Sequence, residues 1–217
     1  VLVAYDRYNP KSNEAGTKYI LLGALSSAFL LYGISQVYGM LGTTRFEEIN
    51  AALLLDGTPL NPAVLVGLAL IVAGLGFKIA AVPFHMWAPD VYEGAPTPVT
   101  AYLAVGSKAA AFALILRLFA QAFMPAIDDW QIILVILAAL TMTVGNLVAM
   151  AQQNIKRMLA YSSIGQVGYL LMGVAALSPL ASNGIILHLA GYGLTNLAAF
   201  LCIIIFYNAT NKEEISD

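Results

Sequence analysis

Apolar residues along this chain neither alternate nor keep to one face; they run on in long stretches separated by short polar connectors. Six stretches are read as helices, over about residues 18–41, 62–87, 98–123, 130–152, 155–177 and 184–208. Each is near the ~20 residues that a helix needs to cross about 30 Å of hydrocarbon. The connectors carry Asp, Pro, Gly and Asn, the turn chemistry expected where a chain meets water. This pattern predicts an all-α, polytopic membrane protein, with residues 1–217 forming one transmembrane domain and no soluble domain or internal sequence repeat. Pro83 falls inside the second stretch, where it removes one backbone hydrogen bond and frees a carbonyl. A discontinuous helix is expected there, of the kind that lines cavities in transporters. Residues 1–5 are apolar and run into Asp6 and Arg7, the reverse of a signal peptide's charge order. They are expected to be the tail of a further membrane helix that starts before Val1.

Composition agrees with a chain solvated by lipid. Of the 217 residues, 60% are hydrophobic and 10% charged, against about 25% charged in soluble domains. Ten basic and twelve acidic residues nearly cancel, which argues against a nucleic-acid partner. Cys202 is the only cysteine, so an internal disulfide or a cysteine-held metal cluster is excluded, and it is expected to pack within an apolar helix. Because helical hairpins alternate sides, the connectors sort into two sets. One set holds residues 6–18, 88–97, 153–157 and the tail from 209, with Arg7, Lys11, Lys18, Lys156, Arg157 and Lys212. The other holds residues 42–61, 124–129 and 178–183, with Arg45 alone. The basic side is therefore assigned to the cytoplasm or its organellar equivalent. A bacterial plasma membrane is expected, with a thylakoid or organellar inner membrane open.

Two lysines change the picture from membrane protein to transport protein. Lys78 and Lys108 lie inside the second and third stretches, nine and ten residues from the cytoplasmic ends. On unbroken helices that is about 14–15 Å deep, near the midplane. A cation there costs roughly 2.5–3.5 kcal/mol on insertion scales, and such residues usually mark an ion or proton path. Two ammonium groups about 10 Å apart would repel by about 1.7 kcal/mol at an effective dielectric near 20, a little over one pK unit. Protonating one would discourage protonating the other, the coupling a proton relay needs. None of the twelve acidic residues lies inside a helical stretch, so a counter-ion is expected upstream of Val1. Arg117, near the far end of its helix, is expected to snorkel.

His85 stands seven residues after Lys78 and would share its face on a merely kinked helix. Its ordinary pKa suits a proton-entry role on the cytoplasmic side, with a plain interfacial histidine as the other reading. His188, Tyr192, Thr195 and Asn196 form one polar stripe on the last helix, with His188 a possible relay; Ser162, Gln166 and Tyr169 form another on the fifth. Such stripes line hydrated paths or bind helices together. His85 and His188 fall at opposite ends of their helices by this count, which disfavours haem ligation at matched depth.

Three strings, KSNEAGTKYILLGALSSAFLLYGIS, GFKIAAVPFHMWAPDVYEGAPTPVTAYLAVGSKAA and NIKRMLAYSSIGQVGYLLMG, resemble the antiporter-like membrane subunit N (also subunit 2 or B) of complex I. The resemblance spans nearly the whole chain, and PDVYEGAPTPV favours subunit N over the other antiporter-like subunits and Mrp-type antiporters. It implies a fourteen-helix fold with two inverted five-helix repeats, of which this chain would cover the end of the fifth helix through the eleventh. The family's seventh- and eighth-helix lysines then fall on Lys78 and Lys108, its fifth-helix glutamate before Val1 and its twelfth-helix lysine after Asp217. No role is carried onto His188. The resemblance further implies a translocase subunit of an NADH:quinone oxidoreductase with no redox site of its own. Flavin, iron–sulfur clusters and quinone would sit in partner subunits, and protons would move through this one. A cation/proton antiporter subunit and a non-pumping structural subunit remain as alternatives.

Overall fold

The structure, a computed structural model, describes residues 2–56 and 60–216; the 57–59 part of the expected 42–61 connector lies outside the described residues. Helix α1 spans Pro10–Leu41 and starts well before residue 18. The reason is local: Asn9 caps it by accepting the Lys11 N–H, Pro10 suits its first turn, and Gly42, at φ +72°, ends it. Residues 2–9 ahead of it form turns and not the tail of a helix. Helix α2, Phe46–Asp56, occupies what the sequence suggested was a connector. Its Glu47 and Glu48 sit at the positive end of the helix dipole, and Ile49 and Leu53 are buried.

Helix α3 spans Pro62–Ile79 and is capped by Asn61. After the break comes α4, Trp87–Gly94, then α5, Thr97–Tyr102. A π-helical turn over Leu103–Ser107 joins α5 to α6, Lys108–Arg117, and a second π turn covers Leu118–Ala122. Helices α7, Ile127–Ala149, α8, Ile155–Ala176, and α9, Pro179–Thr210, complete the bundle. Six helical spans are long and apolar enough to cross a membrane: Pro10–Leu41, Pro62–Ile79, Thr97–Ala122, Met124–Ala149, Ile155–Ala176 and Pro179–Thr210. Their outward faces expose large apolar side chains such as Leu31, Ile132, Leu187 and Ile205, as lipid-facing helices do. Cys202 is exposed on α9 and does not pack inside the described chain.

Small residues let helices approach at two crossings. A Cβ on Gly33 of α1 would lie 2.6 Å from the Gly67 carbonyl oxygen of α3, and one on Gly145 of α7 would lie 2.4 Å from the Gly165 nitrogen of α8. Lipid tails are as apolar as leucine, so association in a membrane rests on this close packing and on polar contacts.

The break between α3 and α4 is more complete than a proline kink. Helix α3 stops at Ile79, and Ala80 turns into the left-handed region at φ 60°, ψ 42°. Pro83 follows a cis peptide bond. Released backbone groups find specific partners, as burial demands. The Ala81 N–H donates to the Gly76 carbonyl at 2.8 Å. Val82 donates its N–H to Thr141 Oγ1 of α7 at 3.0 Å, and the Trp87 indole donates to the Phe77 carbonyl at 2.8 Å. With no helix running from Lys78 to His85, the shared-face reading for that pair fails, and so does a depth counted along an unbroken helix from Trp87. Ala80 is fully buried, and a left-handed conformation costs a non-glycine residue roughly 1–2 kcal/mol. Ala80→Gly relieves that cost but loses a buried methyl and adds unfolded-state entropy. Its thermal stability is expected to stay within about 1 kcal/mol of the parent by melting of the purified complex.

Candidate functional site

Lys108 opens α6 directly after the π turn and is 2% exposed. It stands eleven residues into the Thr97–Ala122 span, about 16 Å from its start and so at mid-depth. Its ammonium donates to Ser163 Oγ of α8 and to the Ser163 carbonyl at 3.3 Å. Ser163 Oγ in turn shares a 2.5 Å hydrogen bond with the hydroxyl of Tyr192 on α9. The face of Tyr92, on α4, completes the surround, with the ammonium 5.8 Å from the ring centroid. No carboxylate pairs with Lys108 among the described residues. Among the described residues a hydroxyl pair and an aromatic face surround the ammonium.

Lys78 is arranged differently. It is exposed on the last turn of α3, makes no hydrogen bond or ion pair among the described residues, and shares none of Lys108's partners. Its charge is favoured where it stands by the carbonyl end of the α3 dipole. Arg117 is likewise exposed near the far end of its helix. His85, half-buried on the break, has its ring centroid 6.4 Å from that of Tyr161 on α8, and its Nδ1 is buried without a hydrogen-bond partner among the described residues. His188 bonds Gln166 of α8 through Nε2 at 2.8 Å. Because α9 begins at Pro179, His188 lies nine residues along it, about 14 Å deep and not near the surface; the opposite-ends placement of the two histidines is corrected accordingly.

The sequence reading missed Ser163 and Tyr92. Spacing alone allowed a stripe of Ser162, Gln166 and Tyr169, but α8 meets α9 through Ser163 and Gln166, three residues apart, facing Tyr192 and His188, four apart. Antiparallel matching of the two stripes was the available signal. Ser162 makes no hydrogen bond there among the described residues, and Tyr169 instead accepts from Asn146 of α7 at 3.1 Å. Thr195 and Asn196 bond back to carbonyls of their own helix. Along α8 the polar contacts follow in order: Arg157, Tyr161 beside His85, Ser163 with Lys108, Gln166 with His188. From first to last they cover nine residues, about 14 Å.

The string PDVYEG, residues 89–94, is α4 itself, and the structure explains its parts. Asp90 accepts from Lys18 at 2.6 Å and Arg157 at 2.7 Å, and Glu93 from Lys11 at 2.7 Å and Arg157 at 3.1 Å. Tyr92, on another face of α4, lays its ring against Lys108. Gly94 touches α1, where a Cβ would come within 2.4 Å of the Lys11 carbonyl oxygen. These ion pairs tie α4 to α1 and α8 at the basic end of the bundle. Burial opposes ionisation of Asp90, but bonds from Lys18 and Arg157 outweigh it and hold its carboxyl below the ordinary range; Lys11 and Arg157 do the same for the part-buried Glu93. A carboxyl with a lowered folded pKa adds stability above its unfolded pKa and loses it as pH falls through the folded value. The clamp's contribution to the melting temperature is therefore expected to be full and independent of pH above about pH 6 and to fall away below about pH 4, a drop that Asp90→Asn reduces in a pH series of melts.

A discontinuous helix packed beside a buried, hydroxyl-bonded lysine, in a bundle of membrane-length helices, defines an antiporter-like membrane subunit. The transmembrane family described as NADH:quinone oxidoreductase/Mrp antiporter matches residues 1–217, and the chain belongs to it. It is 52% identical over 217 residues to NADH-quinone oxidoreductase subunit N of Desulforamulus reducens, covering all of this chain and 45% of that protein. The fold matches a chain of the archaeal membrane-bound sulfane sulfur reductase with TM-score 0.85 and 31% identity, over 99% of this chain and 44% of that one. A chain of respiratory complex I from Thermus thermophilus matches with TM-score 0.71 and 38% identity, over 89% of this chain and 41% of that one. The chain thus spans less than half the length of these relatives.

Proposed function

We propose that this chain is part of a proton-translocating membrane-arm subunit of an NADH:quinone oxidoreductase, with Lys108 as its central proton carrier. The observation that carries the reading is a fully buried lysine bonded to two hydroxyls in series and to no carboxylate among the described residues. Such an amine can release and regain a proton without breaking an ion pair, and Ser163 and Tyr192 offer the proton a short route to α9. Lys78, on the exposed face of α3, is the second carrier, and its counter-ion is sought outside this chain. His85 feeds protons in from the basic, cytoplasmic end. His188, paired with Gln166, extends the polar seam beyond Tyr192.

In this reading the subunit belongs to a translocase and holds no redox cofactor. Flavin, iron–sulfur clusters and quinone belong to partner subunits, whose chemistry reaches this chain as a shift of charge along the membrane. The test is proton translocation per electron by the reconstituted complex with Lys108→Met or Lys78→Met in the full-length subunit. A lowered ratio is expected for each, and a normal ratio for Lys108→Met would end the proposal. The family also includes Mrp antiporters; co-purification with NADH- or ferredoxin-oxidising subunits separates that alternative.

A further inference from the structure

Tyr92 is fully buried, and its hydroxyl has no hydrogen-bond partner among the described residues. Ser163 lies beside that hydroxyl, but no hydrogen bond of normal geometry closes between them. A buried orphan hydroxyl costs free energy that phenylalanine would not. Packing does not explain it, since the ring alone makes the edge contact with Phe200, at 6.5 Å, and the face contact with Lys108. The hydroxyl sits instead next to the one atom, Ser163 Oγ, through which Lys108 and Tyr192 are joined.

The geometry points to Tyr92 as a positioning residue that resets this hydroxyl chain between protons. The inference rests on the relay proposed above. When Lys108 gives up a proton through the chain, Ser163 Oγ takes it and passes its own hydrogen to Tyr192, which releases one to water. Each hydroxyl gains one hydrogen and loses one, and Lys108 ends as a neutral amine. Ser163 is then left with its O–H directed at Lys108, and Tyr192 with its O–H directed back at Ser163. No second proton can follow until both turn round. The Tyr92 oxygen offers an acceptor part-way through the Ser163 rotation, so the O–H need not swing through a position with no partner. Helix α4, tied down by Asp90 and Glu93, keeps that acceptor in place.

The experiment is Tyr92→Phe in the full-length subunit of the intact complex, with Lys108→Met in parallel. Tyr92→Phe keeps the ring and removes only the oxygen. Expected are normal assembly, unchanged or raised melting temperature, steady-state turnover lowered about five- to tenfold, and a larger solvent deuterium isotope effect as reorientation becomes limiting. Unchanged turnover and isotope effect, with Lys108→Met impaired, would overturn the inference alone. Failure of Tyr92→Phe to assemble would overturn it too, by making the hydroxyl a structural anchor. Normal proton translocation by Lys108→Met would instead remove the relay on which it rests.

Discussion

Lys108→Met is expected to lower coupled turnover by about 100-fold or more, the scale of removing a positioned proton-transfer group, while leaving the complex assembled. The physical case has two halves. Methionine fills the lysine's volume and needs no hydrogen bond, so it fits a site that is 2% exposed. Replacing a buried charge by an apolar side chain of similar size is often neutral or stabilising. Ser163 and Tyr192 keep their mutual hydrogen bond, so the α8–α9 contact survives. What is lost is the ammonium that donates to that hydroxyl pair. A variant that melts at or above the parent temperature and no longer translocates protons separates function from fold. Parallel loss of both would make Lys108 a structural residue.

Arg157→Ala is expected to destabilise the subunit by about 1–3 kcal/mol, read as a lower melting temperature, and to slow turnover with it. Arg157 is one cation serving two carboxylates, Asp90 at 2.7 Å and Glu93 at 3.1 Å, and its removal leaves each with a single lysine. Helix α4 has eight residues, too few to hold together without tertiary contacts. Tyr92 rides on it, so loosening α4 loosens the aromatic face over Lys108. Arg157 reaches both carboxylates through one nitrogen, Nη1; Arg157→Lys keeps the charge on a differently shaped, shorter-reaching side chain and is expected to fall between the parent and Arg157→Ala. Equal melting and equal turnover in Arg157→Ala would show that the lysines alone hold α4.

Much of the architecture was legible from one-dimensional patterning, and the exceptions share a cause. The membrane-length helices follow from long apolar runs, because hydrocarbon thickness and helical rise are fixed. Helix α2 was read as a connector because its eleven residues mix Glu47 and Glu48 with apolar positions that gain meaning only when Ile49 and Leu53 find a surface to bury against. Pro83 announced a discontinuity, but the actual stop at Ile79 depends on partners elsewhere, Thr141 and Trp87 among them. Lys78 and Lys108 looked alike in sequence and differ in space, one exposed at a helix end and one enclosed.

By itself the sequence determined that this is an all-helical membrane protein with a basic side, a broken helix and a lysine, Lys108, at depth. Each of those follows from local composition and from counting residues along a helix. Only the tertiary structure decided that Lys108 is met by Ser163, Tyr192 and Tyr92, that Gln166 takes His188, and that Asp90 and Glu93 are a clamp. A helical stripe fixes which residues share a face, but which face meets which neighbour depends on the rotation and crossing of whole helices, which local sequence does not specify.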